Sequence, residues 1–198
     1  MAASRSRHDE AESEAPPRER LLAAAGELFY RRGIHAVGID EVIAAAGVAK
    51  MSLYRHFASK DELIAAYLEE CDAGYWRRWD DIVARHPGAP RQQLRALFAW
   101  LAHHATKPDW RGCPFINAAT EFPAPDHPAR RVAEANKRKL RQRLLALARA
   151  ARARQPERLA DQLTLLFEGA YSSALTYGAN GPARAVAAAA EALLDAHC

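Results

Sequence analysis

The sequence predicts an all-α protein, with three helices in a compact N-terminal module and a larger helical domain behind it, about nine helices in all. Three observations predict it. From Pro17 onward apolar residues recur every three or four positions, no run alternates with the period of a strand, and the segments between breaks are rich in the helix formers Ala, Leu and Arg. The breaks are proline and glycine clusters: HPGAP at 86–90, KPDWRGCP at 107–114, FPAPDHP at 122–128, Pro156 and GANGP at 178–182.

Residues 1–16 mix charge, Ser and Ala without periodicity and are expected to form a disordered arm. Pro16-Pro17 ends it, because the first turn of a helix tolerates proline. From Arg18 to Arg32, Leu21, Ala25, Leu28 and Phe29 share one helical face, and Gly33 supplies the stop. In VGIDEVIAAAG, Ile39, Val42, Ile43 and Ala46 form the stripe of a second helix, with Gly38 as N-cap, Glu41 as its capping partner three residues on, and Gly47 as the stop. Lys50 opens a third helix, in which Leu53 and Phe57 share a face while Lys50, Met51, Tyr54 and Arg55 point elsewhere. A very short glycine-containing turn between two short helices is the signature of a helix-turn-helix. Ser59 and Glu62 then form a capping box that starts a longer helix through Leu63, Ile64, Tyr67 and Leu68. This divides the chain into a helix-turn-helix domain over 17–62 and a helical domain over 63–198.

With 198 residues and 49% hydrophobic composition, the chain is long enough to bury a core in one or two domains. No apolar run reaches the roughly 18 residues of a membrane span and the N-terminus lacks a signal-peptide pattern, so a soluble, cytoplasmic protein is expected. Cys71, Cys113 and Cys198 are too few and scattered for a disulfide framework, and no CxxC pair offers half of a zinc site. His103 and His104 are neighbours on a helix, about 100° apart, and cannot share one ion comfortably. No metal and no cofactor are therefore expected. Between His127 and Arg154 ten basic residues face the single acid Glu134, which reads either as a solvated helix face or as a site for an anionic partner.

A helix-turn-helix buries the backs of its helices and offers the outer face of the second to a duplex. Lys50 and Met51, at its N-terminus, are placed to reach base edges in a major groove, while Tyr54, His56 and Lys60 suit phosphate oxygens. The run from Arg18 to Leu68 resembles the N-terminal domain of the TetR family of bacterial transcriptional regulators, through ELFYRRG at 27–33, IDEVIAAAGV at 39–48 and SLYRHFASKDEL at 52–63. That resemblance implies base contacts by Lys50, Met51 and Ser52 and backbone contacts by Tyr54, His56 and Lys60, with Gly38 and Arg55 on the same DNA-facing side. Three departures stand out. Gly38 replaces a hydroxyl residue frequent in the family, Ala49 replaces the usual Ser, and Met51 stands where glycine is frequent.

For the rest of the chain the resemblance is architectural and implies a ligand-binding and dimerisation domain. An effector site is expected among Trp76, Trp79, Trp100, His103, Phe115, Asn117, Glu121 and Phe122, where aromatic area is combined with a few polar groups; ordinary core is the competing reading for each aromatic. The last two helical segments, with Leu166, Gly169, Ala170, Ser173, Ala174, Tyr177 and Leu193, are expected to form the homodimer interface, since small residues let helices approach closely; an intrachain core is the alternative.

No GxSxG, HExxH or phosphate-binding glycine loop supports an enzyme. The sequence thus predicts a homodimeric transcriptional regulator, a repressor on a palindrome-like double-stranded operator, released by a small apolar or aromatic effector. A constitutive DNA binder without effector, and an all-helical enzyme, are the competing classes.

Overall fold

The computed structural model describes residues 15–198, so the arm expected over 1–16 falls, up to residue 14, outside the described residues. Among the described residues there are nine α-helices, one 3-10 turn and no strand. The helices are α1 (Pro17–Arg32), α2 (Ile39–Ala46), α3 (Lys50–His56), α4 (Lys60–Ala84), α5 (Pro90–Ala105), α6 (Pro114–Glu121), α7 (Pro128–Ala150), α8 (Pro156–Tyr177) and α9 (Val186–His197). Proline stands in the first turn of α1, α5 and α8, where its missing N–H costs nothing.

The chain forms two compact units that are not consecutive in sequence. One joins the residues up to Glu70 with Ala118–Val132; the other joins Cys71–Asn117 with Ala133–Cys198. Three elements, α4, α6 and α7, therefore contribute residues to both.

In the first unit, Leu21, Ala25 and Phe29 of α1, Val42 and Ala46 of α2, Leu53 of α3 and Phe57 just after it are buried together with Leu63, Ile64, Tyr67 and Leu68 of α4. Each such large side chain contributes about 1.5–3 kcal/mol by leaving water. Phe29 meets Tyr67 edge-to-face at 5.7 Å between ring centroids. Leu28, Ile39 and Ile43 stay partly exposed at the margin of this core.

The turn that separates α2 from α3 is closed by its backbone. Gly47 adopts φ 61° and ψ 37°, Val48 N–H donates to Ile43 O at 3.3 Å, and Gly47 N–H donates to Ala44 O at 3.2 Å. This is a Schellman closure, and the left-handed conformation explains the glycine. The capping box ahead of α4 forms: Glu62 N–H donates to Ser59 Oγ at 3.2 Å, and the Glu62 carboxylate accepts from the Ala58 N–H at 2.7 Å. The one expected at α2 does not form. Glu41 instead pairs with Arg32, because Gly38 offers no side chain to reciprocate and the guanidinium at the end of α1 is within reach.

The second unit is built around Leu94, Leu97, Phe98 and Leu101 of α5, Leu140 and Leu144 of α7, Leu163 and Phe167 of α8, and Leu194 of α9, all fully or almost fully buried. Phe98 and Phe167 meet edge-to-face at 5.3 Å. Outside this core Glu191 of α9 receives Arg95 Nε at 2.6 Å and Arg91 Nη2 at 3.3 Å; these guanidinium groups, Arg95 first, hold its carboxyl down at about 2.

The basic segment on α7 is largely paired within the protein. Arg138 pairs with Glu134, Arg141 with Asp161, Arg143 with Asp80 and Arg149 with Glu157, while Lys139 and Arg143 lie 4.6 Å over the Trp76 ring. These contacts favour the solvated, ion-paired helix face over a site for an anionic partner.

Candidate nucleic-acid interface and effector site

The short α3 is two-sided. Leu53 and Phe57 are buried on one side, whereas Lys50, Met51, Tyr54, Arg55 and His56 are exposed on the other and Ser52 is half-buried between them. Met51 is 67% and Tyr54 46% exposed, unusual for large side chains with no ring or core contact to offset their hydration cost. Ala49 precedes the helix without a side-chain cap. Lys50 Nζ donates to Asp40 Oδ1 at 2.8 Å, and this hydrogen bond raises its pKa above the ordinary lysine value. The ammonium is thus held beside α2 yet stays in water.

Two of the expected contact residues have surroundings that the sequence does not reveal. Lys60 is half-buried and donates to Ile34 O at 2.8 Å, with the Phe29 ring 5.9 Å below, so its ammonium already serves the loop after α1. Gly38 is exposed, and nothing lies within 4 Å of where a Cβ would stand. A hydroxyl residue would fit there; no packing reason for the glycine exists.

The expected effector residues do not form one cluster. Glu121 and Phe122, at the end of α6, belong to the first unit. The Glu121 carboxylate accepts from the backbone N–H groups of Ile34 at 3.0 Å and His35 at 2.7 Å, its main-chain oxygen accepts from His35 Nε2 at 3.0 Å, and Phe122 packs between His35 and His127. These side chains hold the loop between α1 and α2. Asn117 also plays a structural role, since its Nδ2 donates to Arg111 O at 3.0 Å, beside Gly112 at φ 87°, where a Cβ would stand 3.2 Å from Asn117 Oδ1. His103 is exposed, because it lies about 100° around α5 from the inward-facing His104.

Trp76, Trp79, Trp100 and Phe115 do fall in the second unit, with Trp76 and Trp79 5.7 Å apart. Four neighbours join them: Tyr75, His104 and Trp110 come from the same aromatic- and histidine-rich stretch of the sequence, and Tyr171 from far along it. Tyr75 meets Trp76 and Trp100; Trp100 stacks on His104 at 4.9 Å; His104 meets Trp110 edge-on at 5.0 Å; and Trp110 stacks on Tyr171 at 5.0 Å. The four-residue spacing of Trp100 and His104 was the available signal. Burial, then the positive charges of Lys107 and Arg78, lowers the pKa of His104, so this ring is neutral at pH 7. Among the described residues no group of three or more His, Cys, Asp or Glu could hold a metal ion.

The expected interface residues also divide. Ala170 and Ala174 face the core of their own protomer, while Gly169 and Tyr177 are exposed and Leu166, Ser173 and Leu193 are partly exposed. The outward stripe of α8 runs through Leu165, Gly169, Ser172 and Thr176, and Leu165 is 70% exposed. The helical phase places residues 163, 167, 170, 171 and 174 inward, which periodicity in a segment of small residues could not establish.

Comparison with known proteins matches both regions of the chain. The family described as bacterial regulatory proteins, tetR family, matches residues 21–67, and the family described as tetracyclin repressor-like, C-terminal domain, matches residues 90–190. A TetR-family transcriptional regulator from Streptomyces coelicolor has the same fold, with TM-score 0.83 and 31% identity over 91% of this chain and 95% of that one. The transcriptional activator FasR of Mycolicibacterium smegmatis is 44% identical over 43% of this chain and 41% of its own length. The transcriptional repressor KstR2 of Mycobacterium tuberculosis is 35% identical over 44% of this chain and 46% of its own. The chain thus spans less than half the length of these two curated relatives. Among the described residues no helix is long and apolar enough to cross a membrane.

Proposed function

Because the chain belongs to the TetR family of bacterial regulatory proteins, we propose that it is a homodimeric, sequence-specific DNA-binding transcriptional repressor, released from a palindrome-like operator by a small apolar or aromatic effector. The observation that carries the reading is the two-sidedness of α3. A helix of seven residues with Leu53 and Phe57 sealed behind it presents Lys50, Met51, Tyr54, Arg55 and His56 to water, the size and chemistry a major groove accepts.

In this mechanism Lys50 and Met51 read base edges, the lysine by exchanging Asp40 for a purine acceptor and the methionine by apolar contact with a thymine methyl. Ser52 joins them at the bases, Tyr54 and His56 meet the phosphate backbone, and Arg55 and the Gly38 backbone lie on the same face. Lys60 keeps the loop at Ile34 in place, with its two remaining donor hydrogens turned to phosphate. Dimerisation uses the outward faces of α8 and α9, with Leu165, Gly169, Tyr177 and the partly exposed Leu166, Ser173 and Leu193 at the contact, and sets the two recognition helices about one DNA turn apart.

Effector binding in the second unit changes operator affinity through α4, which supplies Lys60–Glu70 to one unit and Cys71–Ala84 to the other. A ligand shifts this equilibrium only by its difference in affinity for the two arrangements. The regulator reading is tested by selecting bound fragments from genomic DNA and placing the recovered site ahead of a reporter. Repression that a compound relieves supports it. Stimulation by the protein would instead support the activator reading, which the name of FasR favours.

A further inference from the structure

The ring cluster of the second unit contains two hydrogen-bond donors that the protein does not use. The Tyr75 hydroxyl and the Trp110 indole N–H are fully covered, although each residue as a whole is only partly buried, and neither group has a hydrogen-bond partner among the protein's atoms. Burying an N–H or O–H without an acceptor is unfavourable, and native cores leave few such groups. Two donors in one cluster call for an explanation.

The pair belongs to a circuit of ring and polar contacts that is closed, between Cys113 and Tyr75, by an electrostatic influence and not by a contact. From Tyr75 it passes through Trp100, His104 and Trp110 to Tyr171. It returns through Lys137, whose ammonium is 6.0 Å from the centre of the Tyr171 ring and donates to Cys113 Sγ at 3.5 Å. Cys113 in turn acts electrostatically on Tyr75. Burial, with Cys113 second, pushes the Tyr75 hydroxyl well above the ordinary tyrosine range, so it stays protonated and able to donate. An indole N–H can only donate.

We propose that this circuit is the effector seat, and that it takes an uncharged, flat aromatic compound with a carbonyl oxygen that accepts a hydrogen bond from Tyr75 or from Trp110. The proposal rests on the second unit being the effector-binding domain. A ketone oxygen only accepts, which is what a hydroxyl or an indole N–H without a partner lacks. Flatness follows from the near-parallel pairs, Trp100 with His104 at 14° and Trp110 with Tyr171 at 24°, whose faces complement a planar ring. The lack of net charge follows from the balance around the circuit. Lys137 is 3.8 Å from Glu168, Arg143 and Asp72 act on Tyr75 in opposite directions, and His104 is neutral, so neither sign of ligand charge finds an unspent partner.

The matched probes 9-fluorenone and fluorene share a planar tricyclic shape and differ by the carbonyl. Quenching of intrinsic tryptophan fluorescence in the full chain is expected to show fluorenone binding about ten-fold more tightly, the worth of the added hydrogen bond. The double substitution Tyr75→Phe, Trp110→Phe should weaken fluorenone and leave fluorene within about two-fold, collapsing the preference. Tyr75→Phe should melt no lower than the wild type, because no protein partner loses its hydrogen bond. Equal binding of the two probes, binding of neither, a preference that survives both substitutions, or a lowered melting temperature in Tyr75→Phe would each overturn the proposal. The underlying domain reading fails separately. If fluorenone binds with the expected preference yet the operator affinity is unchanged, the ligand seat stands and its regulatory role falls; if another compound releases the operator while fluorenone shows no preference, the reverse holds.

Discussion

Glu121, the last residue of α6, grips His35 from two directions: its carboxylate accepts the His35 backbone N–H at 2.7 Å and its main-chain oxygen accepts from the imidazole Nε2 at 3.0 Å. The same carboxylate takes the Ile34 N–H at 3.0 Å, so two consecutive amides of the loop before the helix-turn-helix depend on one residue 86 positions away. Charge-assisted bonds to otherwise unpaired amides contribute more than neutral ones. Glu121→Ala is expected to lower stability by about 1–2 kcal/mol in urea unfolding, and to speed amide exchange at Ile34 and His35 above that of α1. Unchanged exchange at both amides would show that the loop holds itself.

This relationship also marks the limit of the sequence. The helices were legible because their ends carry local signals: Gly47 for the turn, Ser59 with Glu62 for the cap, proline in first turns. Glu121 and Phe122 read as pocket residues because they are polar and aromatic near other aromatics in sequence. Their true neighbours, His35 and Ile34, are set by folding of residues 118–132 against a distant loop, which no local pattern encodes. The different surroundings of His103 and His104 have a simpler cause. Two adjacent histidines on a helix face differently, and only the phase of Leu97, Leu101 and Ala105 tells which one turns inward.

The phase of α8 decides which substitution tests the interface. Ala174 is only 5% exposed, so Ala174→Arg would bury a guanidinium in the protomer's own core and unfold the second unit rather than separate the protomers. Leu165→Arg is the informative variant, since its side chain is 70% exposed in the single chain. Sedimentation should show a folded monomer with unchanged far-UV circular dichroism. An intact dimer would move the interface to another face.

Acid sensitivity is expected at the junction of α5 and α9. The Glu191 carboxyl is held at about 2, below its ordinary value of 4.5, chiefly by the hydrogen bond from Arg95. A depressed folded-state value means that the stabilisation is complete above 4.5 and fades as the pH falls toward 2. Glu191→Gln should therefore melt below the wild type at pH 7, and the gap should close between about pH 4.5 and 2. A gap that stays constant across that range would mean the ion pairs contribute nothing. Because the pairs are partly exposed, salt should also narrow it.

Removing single groups from α3 and from the start of α4 should separate reading from holding. Tyr54→Phe is expected to weaken binding to all DNA sequences alike, as loss of a phosphate contact does. Lys60→Ala should lower the salt slope by about 1 and also destabilise the loop at Ile34, whose carbonyl it satisfies. A Lys60→Ala protein with the wild-type salt slope would confine that ammonium to its structural bond.

The central claim is that the exposed face of α3 reads DNA sequence as a pair. Selection of the wild-type protein and of Lys50→Ala against a randomised duplex library measures it directly. The wild type is expected to enrich an inverted repeat with half-site centres about one DNA turn apart, and Lys50→Ala to lose base preference at matching positions of both half-sites. Recovery of no common sequence by the wild type, or of the same sequence with undiminished preference by Lys50→Ala, would contradict it.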